Sequence, residues 1–126
     1  MNILKIINAK RAFSNYLDAK LSPSVAYKIV KLVRAAEAEE SFYQKELRKI
    51  IEQYGKRNED GSLAATEGGG VKLAEETLDE CRKKVDELDS LEIDFPDIHF
   101  TLNELSGLSM TVREVDAISA FISDEE

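Results

Sequence analysis

Cysteine and histidine are almost missing from this 126-residue chain, which has one of each, Cys81 and His99, and only two prolines. A single cysteine cannot close a disulfide within the chain, and Cys81 falls on the apolar stripe of an expected helix. It suits a small core residue in a reducing compartment. Its neighbours Arg82, Lys83 and Lys84 project from other faces of that helix. His99 stands between Ile98 and Phe100, where alternation turns it to the outer face of an expected strand. A nucleophile, a base and an orienting group within hydrogen-bond reach cannot be assembled from this stock. Long apolar runs are missing too: nothing approaches the roughly 20 residues of a membrane span. The apolar stretch Ile3 to Ile7 is interrupted by Lys5 and lacks the small-residue cleavage site of an export signal. These absences point to a cytoplasmic, non-enzymatic protein with no cofactor, no metal and no membrane partner, and the length suits one domain.

Positive charge is scarce in the second half of the chain. Residues 1–57 carry 12 Lys/Arg against 6 Asp/Glu, net +6, and residues 58–126 carry 5 against 19, net −14, within an overall charge of −8. The two halves should attract each other, so that the acidic half folds back on the basic one. Alternatively the cationic face meets an anionic ligand, or opposite faces meet between subunits.

What the chain does have is one uninterrupted helical pattern from Pro23 to Tyr54, closed by Gly55. Ser22 can cap it, Pro23 suits the first helical position, and Gly55 suits a left-handed residue past the end. Such a rod spans about 48 Å. Val25, Ile29, Leu32, Ala36, Tyr43, Leu47, Ile50 and Tyr54 repeat at spacings of four and three, the seam of a helix that packs lengthwise. Glu39 interrupts that seam and calls for a partner or a wet gap.

Around this helix the pattern predicts a strand and helix over 1–22, with a strand at Ile3–Ile7 and a helix capped by Asn8 whose face is Ala12, Phe13, Tyr16 and Leu17. Residues 56–71, rich in Gly, Asn, Asp and Ser, suggest a flexible connection with a tight turn at Asp60-Gly61. A helix over 72–89 carries Ala74, Leu78, Cys81, Val85 and Leu88 and should form an antiparallel hairpin with the long helix. Leu91, Ile93, Phe95, Ile98 and Phe100 read as a strand broken at Pro96 that pairs with the N-terminal strand. Thr111 and Glu114 form a capping box, with Met110 and Val115 placed as a hydrophobic staple, before a C-terminal helix through Val112, Val115, Ile118 and Ile122. Strand and helix together occupy 91–122, and the acidic tail 123–126 should fray. The fold class is mainly α or α+β: one long helix, three shorter ones and a minimal two-stranded sheet.

Three motifs come close to known chemistry and fail on particular residues. Asn58, Asp60, Gly61, Ser62 and Glu67 match positions three, five, six, seven and twelve of a calcium loop, but Lys56 occupies position one. Gly68-Gly69-Gly70 precedes a helix without the Gly-Lys-Ser/Thr ending of a phosphate loop, and Glu75 and Glu76 follow it. Asp86, Asp89, Asp94 and Asp97 lie on solvated faces, with no contrast of environment to separate two pKa values.

One surface has a chemical rationale for recognition. Helical projection places Tyr27, Lys31, Arg34, Phe42, Lys45 and Lys49 opposite the apolar seam, and aromatic rings beside cations can stack on and neutralise a planar anion or dock an acidic partner. The alternative is that Tyr27 and Phe42 pack beneath the first or last helix. The C-terminal seam residues Tyr43, Leu47, Ile50 and Tyr54 are candidates for self-association as a homodimer or higher oligomer, because the rod has more seam than the shorter helices can cover.

The order of features also carries a resemblance. A short N-terminal element, the entry Leu21-Ser22-Pro23-Ser24-Val25-Ala26-Tyr27-Lys28, the exit Gln53-Tyr54-Gly55-Lys56-Arg57-Asn58-Glu59-Asp60-Gly61, a charged helix and the closing Leu105-Ser106-Gly107-Leu108-Ser109-Met110-Thr111 together resemble a family of small proteins of unknown function encoded in tailed phages and prophages of Gram-positive bacteria. Leu63 to Gly70 departs from the charge-rich loop of such relatives. The resemblance implies a helical accessory protein of the host cytoplasm and names no catalytic residue. The expected function is stoichiometric binding of a host protein or an anionic nucleotide signal, as an inhibitor of host defence would do. The alternative is a phage head or tail assembly protein, and nucleic acid is disfavoured by the acidic total.

Overall fold

The side-chain oxygen of Asn2 accepts the free N–H groups of Leu4 at 2.8 Å and Lys5 at 3.3 Å and starts helix α1, Ile3–Phe13. Ile3–Ile7 is therefore two turns of helix and not the expected strand, and Asn2 is the cap in place of Asn8. Ile3, Ile6, Ile7 and Phe13 are β-branched or aromatic, yet their spacing puts them on one buried face, and burial outweighs local preference. After a 3₁₀ turn at Ser14–Tyr16 the chain leaves the helix, so Leu17 is exposed instead of continuing the apolar face.

The computed structural model describes residues 1–66 and 68–123. These residues form two compact units, residues 1–40 with 92–123 and residues 41–66 with 68–91. Helix α2, Pro23–Tyr54, has the expected bounds and contributes to both.

In the first unit, Val25, Ile29, Leu32 and Ala36 of α2 are buried in one cluster with Ile6, Ala9, Ala12 and Phe13 of α1 and with Ile98, Phe100, Leu105, Ile118 and Phe121. Phe13 and Phe100 lie 5.0 Å apart between ring centres, and Phe95 meets Phe121 edge-on at 5.8 Å. Each large apolar side chain withdrawn from water in this way contributes about 1.5–3 kcal/mol. Glu39 of the seam is half-buried, but the partnered carboxylate is its neighbour Glu40, reached by Lys10 at 2.7 Å and Arg11 at 3.5 Å.

The C-terminal segment returns as an extended chain. Ile93 donates its N–H to the Met1 carbonyl at 2.8 Å, and the Met1 ammonium donates to the Ile93 carbonyl at 2.9 Å, leaving one antiparallel bridge between Asn2 and Glu92. The two-stranded sheet is parallel and pairs β1, Phe100–Thr101, with β2, Ile122–Ser123, and not with the N-terminus as expected. Helix α4 is Val112–Ala117, shorter than its apolar pattern suggests, because a 3₁₀ turn at Ser119–Phe121 brings Ile122 into the sheet. Residues 124–126 of the expected acidic tail lie outside the described residues.

In the second unit, α3, Leu78–Asp89, begins later than expected after a 3₁₀ turn at Glu75–Thr77. It runs antiparallel to α2, since Tyr43 donates its hydroxyl to Asp89 at 2.6 Å while the Tyr54 carbonyl accepts the Ala74 N–H at 3.0 Å. Cys81, Leu88 and Tyr54 are buried there. The segment after Tyr54, expected as a flexible connection, carries a closed ring of backbone hydrogen bonds. Lys56 donates to Lys72 at 2.7 Å, Lys72 to Ala64 at 2.8 Å and Ala64 to Lys56 at 2.8 Å. Antiparallel bridges flank the ring, and Ala64 is buried. The turn at Asp60-Gly61 is present, with Gly61 at φ 86°.

Two Thr-x-x-Glu turns fasten the acidic half to the basic half within the first unit. At Thr111 the expected capping box is complete, and Glu114 also accepts from the Tyr16 hydroxyl at 2.6 Å and the Asn15 amide at 2.9 Å. At Thr101 the same reciprocal bonds form with Glu104, at 2.9 and 3.1 Å, and Lys28 reaches that carboxylate at 2.8 Å. The Thr111 N–H, then Tyr16 and Asn15, hold the Glu114 carboxyl at about 2, against an ordinary 4.5. Lys28 and Thr101 lower Glu104 in the same sense. The folded state thus favours ionised Glu114: its contribution is complete above pH 4.5 and is lost as pH falls from there toward 2. In acid titrations followed by circular dichroism, Glu114→Gln should lower stability at neutral pH and flatten the fall in melting temperature between about pH 5 and about pH 2.

Candidate functional site

The solvent face of α2 carries the residues selected for recognition, and each unit holds its own part of them. In the first unit, Tyr27 is 63% exposed and the Lys31 ammonium lies 5.8 Å from the centre of its ring. Arg34, one turn further on, is exposed as well. This is a cation–π pair open to water, so the packing of Tyr27 beneath another helix does not occur. Lys28, absent from the predicted site, is taken up by structure: besides Glu104 it donates to the His99 carbonyl at 3.0 Å and lies 5.7 Å from the Phe100 ring centre. In the second unit, Phe42 is 43% exposed, Lys45 is exposed, and Lys49 pairs with Glu46 at 3.0 Å.

The residues selected for self-association divide differently. Tyr43 and Tyr54 are engaged within the chain, the first through Asp89 and the second buried beside α3, because α3 covers that side of the seam. Ile50 and Leu47 are half-buried. Leu47 instead lines a groove of about 610 Å³ with Ile51, Leu63 and Val71, rimmed by Gln44, Arg48 and Glu52. Periodicity could have included Ile51, four residues from Leu47. Leu63 and Val71 were hidden in the segment read as a connection.

The chemical near misses resolve locally. The Asp60 carboxylate accepts from the Ser62 hydroxyl at 2.6 Å and the Ser62 N–H at 3.0 Å, and these bonds lower its pKa. It serves a turn, and position twelve of the calcium pattern, Glu67, lies outside the described residues. Gly68-Gly69-Gly70 belongs to a hairpin tip, with Thr66 donating to the Gly70 carbonyl at 2.7 Å, and not to a helix start. Exposed His99 pairs with Asp97, and Cys81 is buried and free. Among the described residues no three His, Cys, Asp or Glu side chains cluster so as to hold a metal ion, and no helix is long and apolar enough to cross a membrane.

Comparison of the chain with protein-family models, with curated proteins and with solved structures finds no match in any of the three.

Gly55 does not line the groove but packs closely against Ile51, Leu63 and Val71, which do. It is not left-handed as expected, since only Gly61 and Gly69 have positive φ among the described residues. Its small size is needed for close approach: a Cβ there would sit 2.6 Å from the Ile51 carbonyl oxygen, 2.6 Å from Leu63 Cδ2 and 3.1 Å from Val71 Cγ1. Gly55→Ala should therefore cost about 1–3 kcal/mol in urea denaturation. Gly68→Ala, with open space around it, should change the midpoint little.

Proposed function

We propose that this protein acts by stoichiometric binding, presenting the exposed Tyr27–Lys31–Arg34 face of α2 to an acidic partner, either a host protein or an anionic nucleotide signal. The observation that carries the reading is the open ring of Tyr27 under the Lys31 ammonium. A large aromatic surface left in water beside two cations provides stacking area at low entropic cost and a charge that favours anions. Packing inside the protein accounts for neither, because the buried stripe of α2 is Val25, Ile29, Leu32 and Ala36. The resemblance to phage and prophage proteins supplies the setting: an accessory protein of the host cytoplasm, of the kind that inhibits host defence by sequestration and not by catalysis. Self-association, most simply as a dimer, belongs to the same reading.

The test is affinity capture from lysate of infected host cells with wild-type protein and with the Lys31→Glu/Arg34→Glu variant, across a salt series. The variant should lose the partner and its salt sensitivity. Its folding stability should fall by no more than about 1 kcal/mol, since exposed charges contribute little. Capture of the same partner with unchanged affinity by the variant would remove this face from the function.

A further inference from the structure

The groove of the second unit has an apolar floor and a rim that carries both charges. Leu47 and Ile51 of α2 and Leu63 and Val71 from the hydrogen-bonded ring segments line it, all half-exposed. Arg48 and Glu52 stand on its α2 side, both exposed, and among the described residues neither side chain forms an ion pair. They are four residues apart, one helical turn, and so project from one flank. When a helix crosses its own copy antiparallel about a two-fold axis, each flank meets the same flank running the other way. Arg48 of one chain then faces Glu52 of the other, and Glu52 faces Arg48, while Leu47 and Ile51 of each cover the apolar floor of the other.

We infer that this groove is the homodimer surface of the protein, with a second copy of the chain seated on it through Leu47 and Ile51 and held in register by two reciprocal Arg48–Glu52 pairs. The inference rests on the reading that the chain self-associates and names the surface that does so. Other occupants fit less well. An acidic peptide would confront Glu52, a basic one Arg48, and a nucleotide would find a single cation with a carboxylate one turn away. A second copy supplies both charges in reversed order together with matching aliphatic groups. Tyr43 and Tyr54 take no part, being used against α3.

Because Arg48 and Glu52 are exposed, exchanging their charges leaves the fold intact, which circular dichroism will verify. Light scattering and sedimentation over a dilution series are then compared for wild type, Arg48→Glu, Glu52→Arg, the combined swap, and an equimolar mixture of the two single variants. Each single variant places like charges opposite each other twice and should weaken self-association about tenfold or more. The combined swap should restore wild-type affinity, and the mixture should form a heterodimer. A wild-type dimer whose affinity neither single variant moves would overturn the groove as the interface and leave self-association standing. Weakening without rescue by the swap would overturn the reciprocal pairing. A wild type that remains a monomer at about 100 μM would overturn both this inference and the reading beneath it.

Discussion

The apolar stripe of α2 in the first unit has to be covered from both ends of the chain at once, and most of that unit follows from this requirement. Val25, Ile29, Leu32 and Ala36 are covered by Ile6, Ala9 and Phe13 from the N-terminus and by Ile98, Phe100, Leu105, Ile118 and Phe121 from the C-terminus. Segments so far apart in sequence are brought together against the entropy of a long closed loop, which must be offset by contacts made only on arrival. The return is also electrostatically favoured, because the basic half lies on α1 and α2 and the returning half is acidic. Glu104 under Lys28 and Glu114 under Tyr16 and Asn15 turn that general attraction into two fixed points.

These two points share one local grammar. In both, a threonine hydroxyl accepts the N–H of a glutamate three residues on, and the glutamate returns to the threonine N–H. Each carboxylate then has oxygen capacity left for a group from the other end of the chain. A turn that satisfies its own backbone can thus anchor a tertiary contact, with a charge-assisted bond stronger than a neutral one. Only the second turn was legible as a helix start, because Thr111 precedes helical periodicity. Thr101-Leu102-Asn103-Glu104 has the same pattern, but no helix follows it, so the motif lacked the context that gives it meaning.

Legibility follows the range of the interaction that decides each element. Helix α2 is readable to the residue because Pro23 and a long periodic pattern act locally and agree, whereas Gly55 marks its end for a non-local reason, the close approach of Leu63 and Val71. Ile3–Ile7 fits strand or helix equally because five residues, with Lys5 among them, are too few to separate the two periods, and its outcome is decided by a buried face. The ring of Lys56, Ala64 and Lys72 was invisible because its bonds join backbone groups eight or sixteen residues apart and ask nothing of the side chains. At the candidate site, exposure of Tyr27 agreed with helical projection. Lys28 could not be separated from Lys31 by type alone; its removal from the recognition face depends on where Glu104 and Phe100 arrive.

The same distinction bears on which polar groups of α2 are open to selection for binding. Lys28, Glu40 and Tyr43 each have a bond within the chain, to Glu104, Lys10 and Asp89, and changing any of them would disturb folding along with recognition. Among the described residues no such bond anchors the side chains of Tyr27, Lys31, Arg34, Arg48 and Glu52, so their types are set by neither core volume nor backbone satisfaction. An exposed lysine needs no further reason. An exposed tyrosine beside two cations, and a charge pair of both signs beside a four-residue apolar floor, do, because each leaves apolar area in water that a more polar side chain would not. The first arrangement offers charge of one sign and suits a partner of the opposite sign. The second is neutral as a whole and is complementary to a surface that repeats it in reverse, as a second copy of the chain would present.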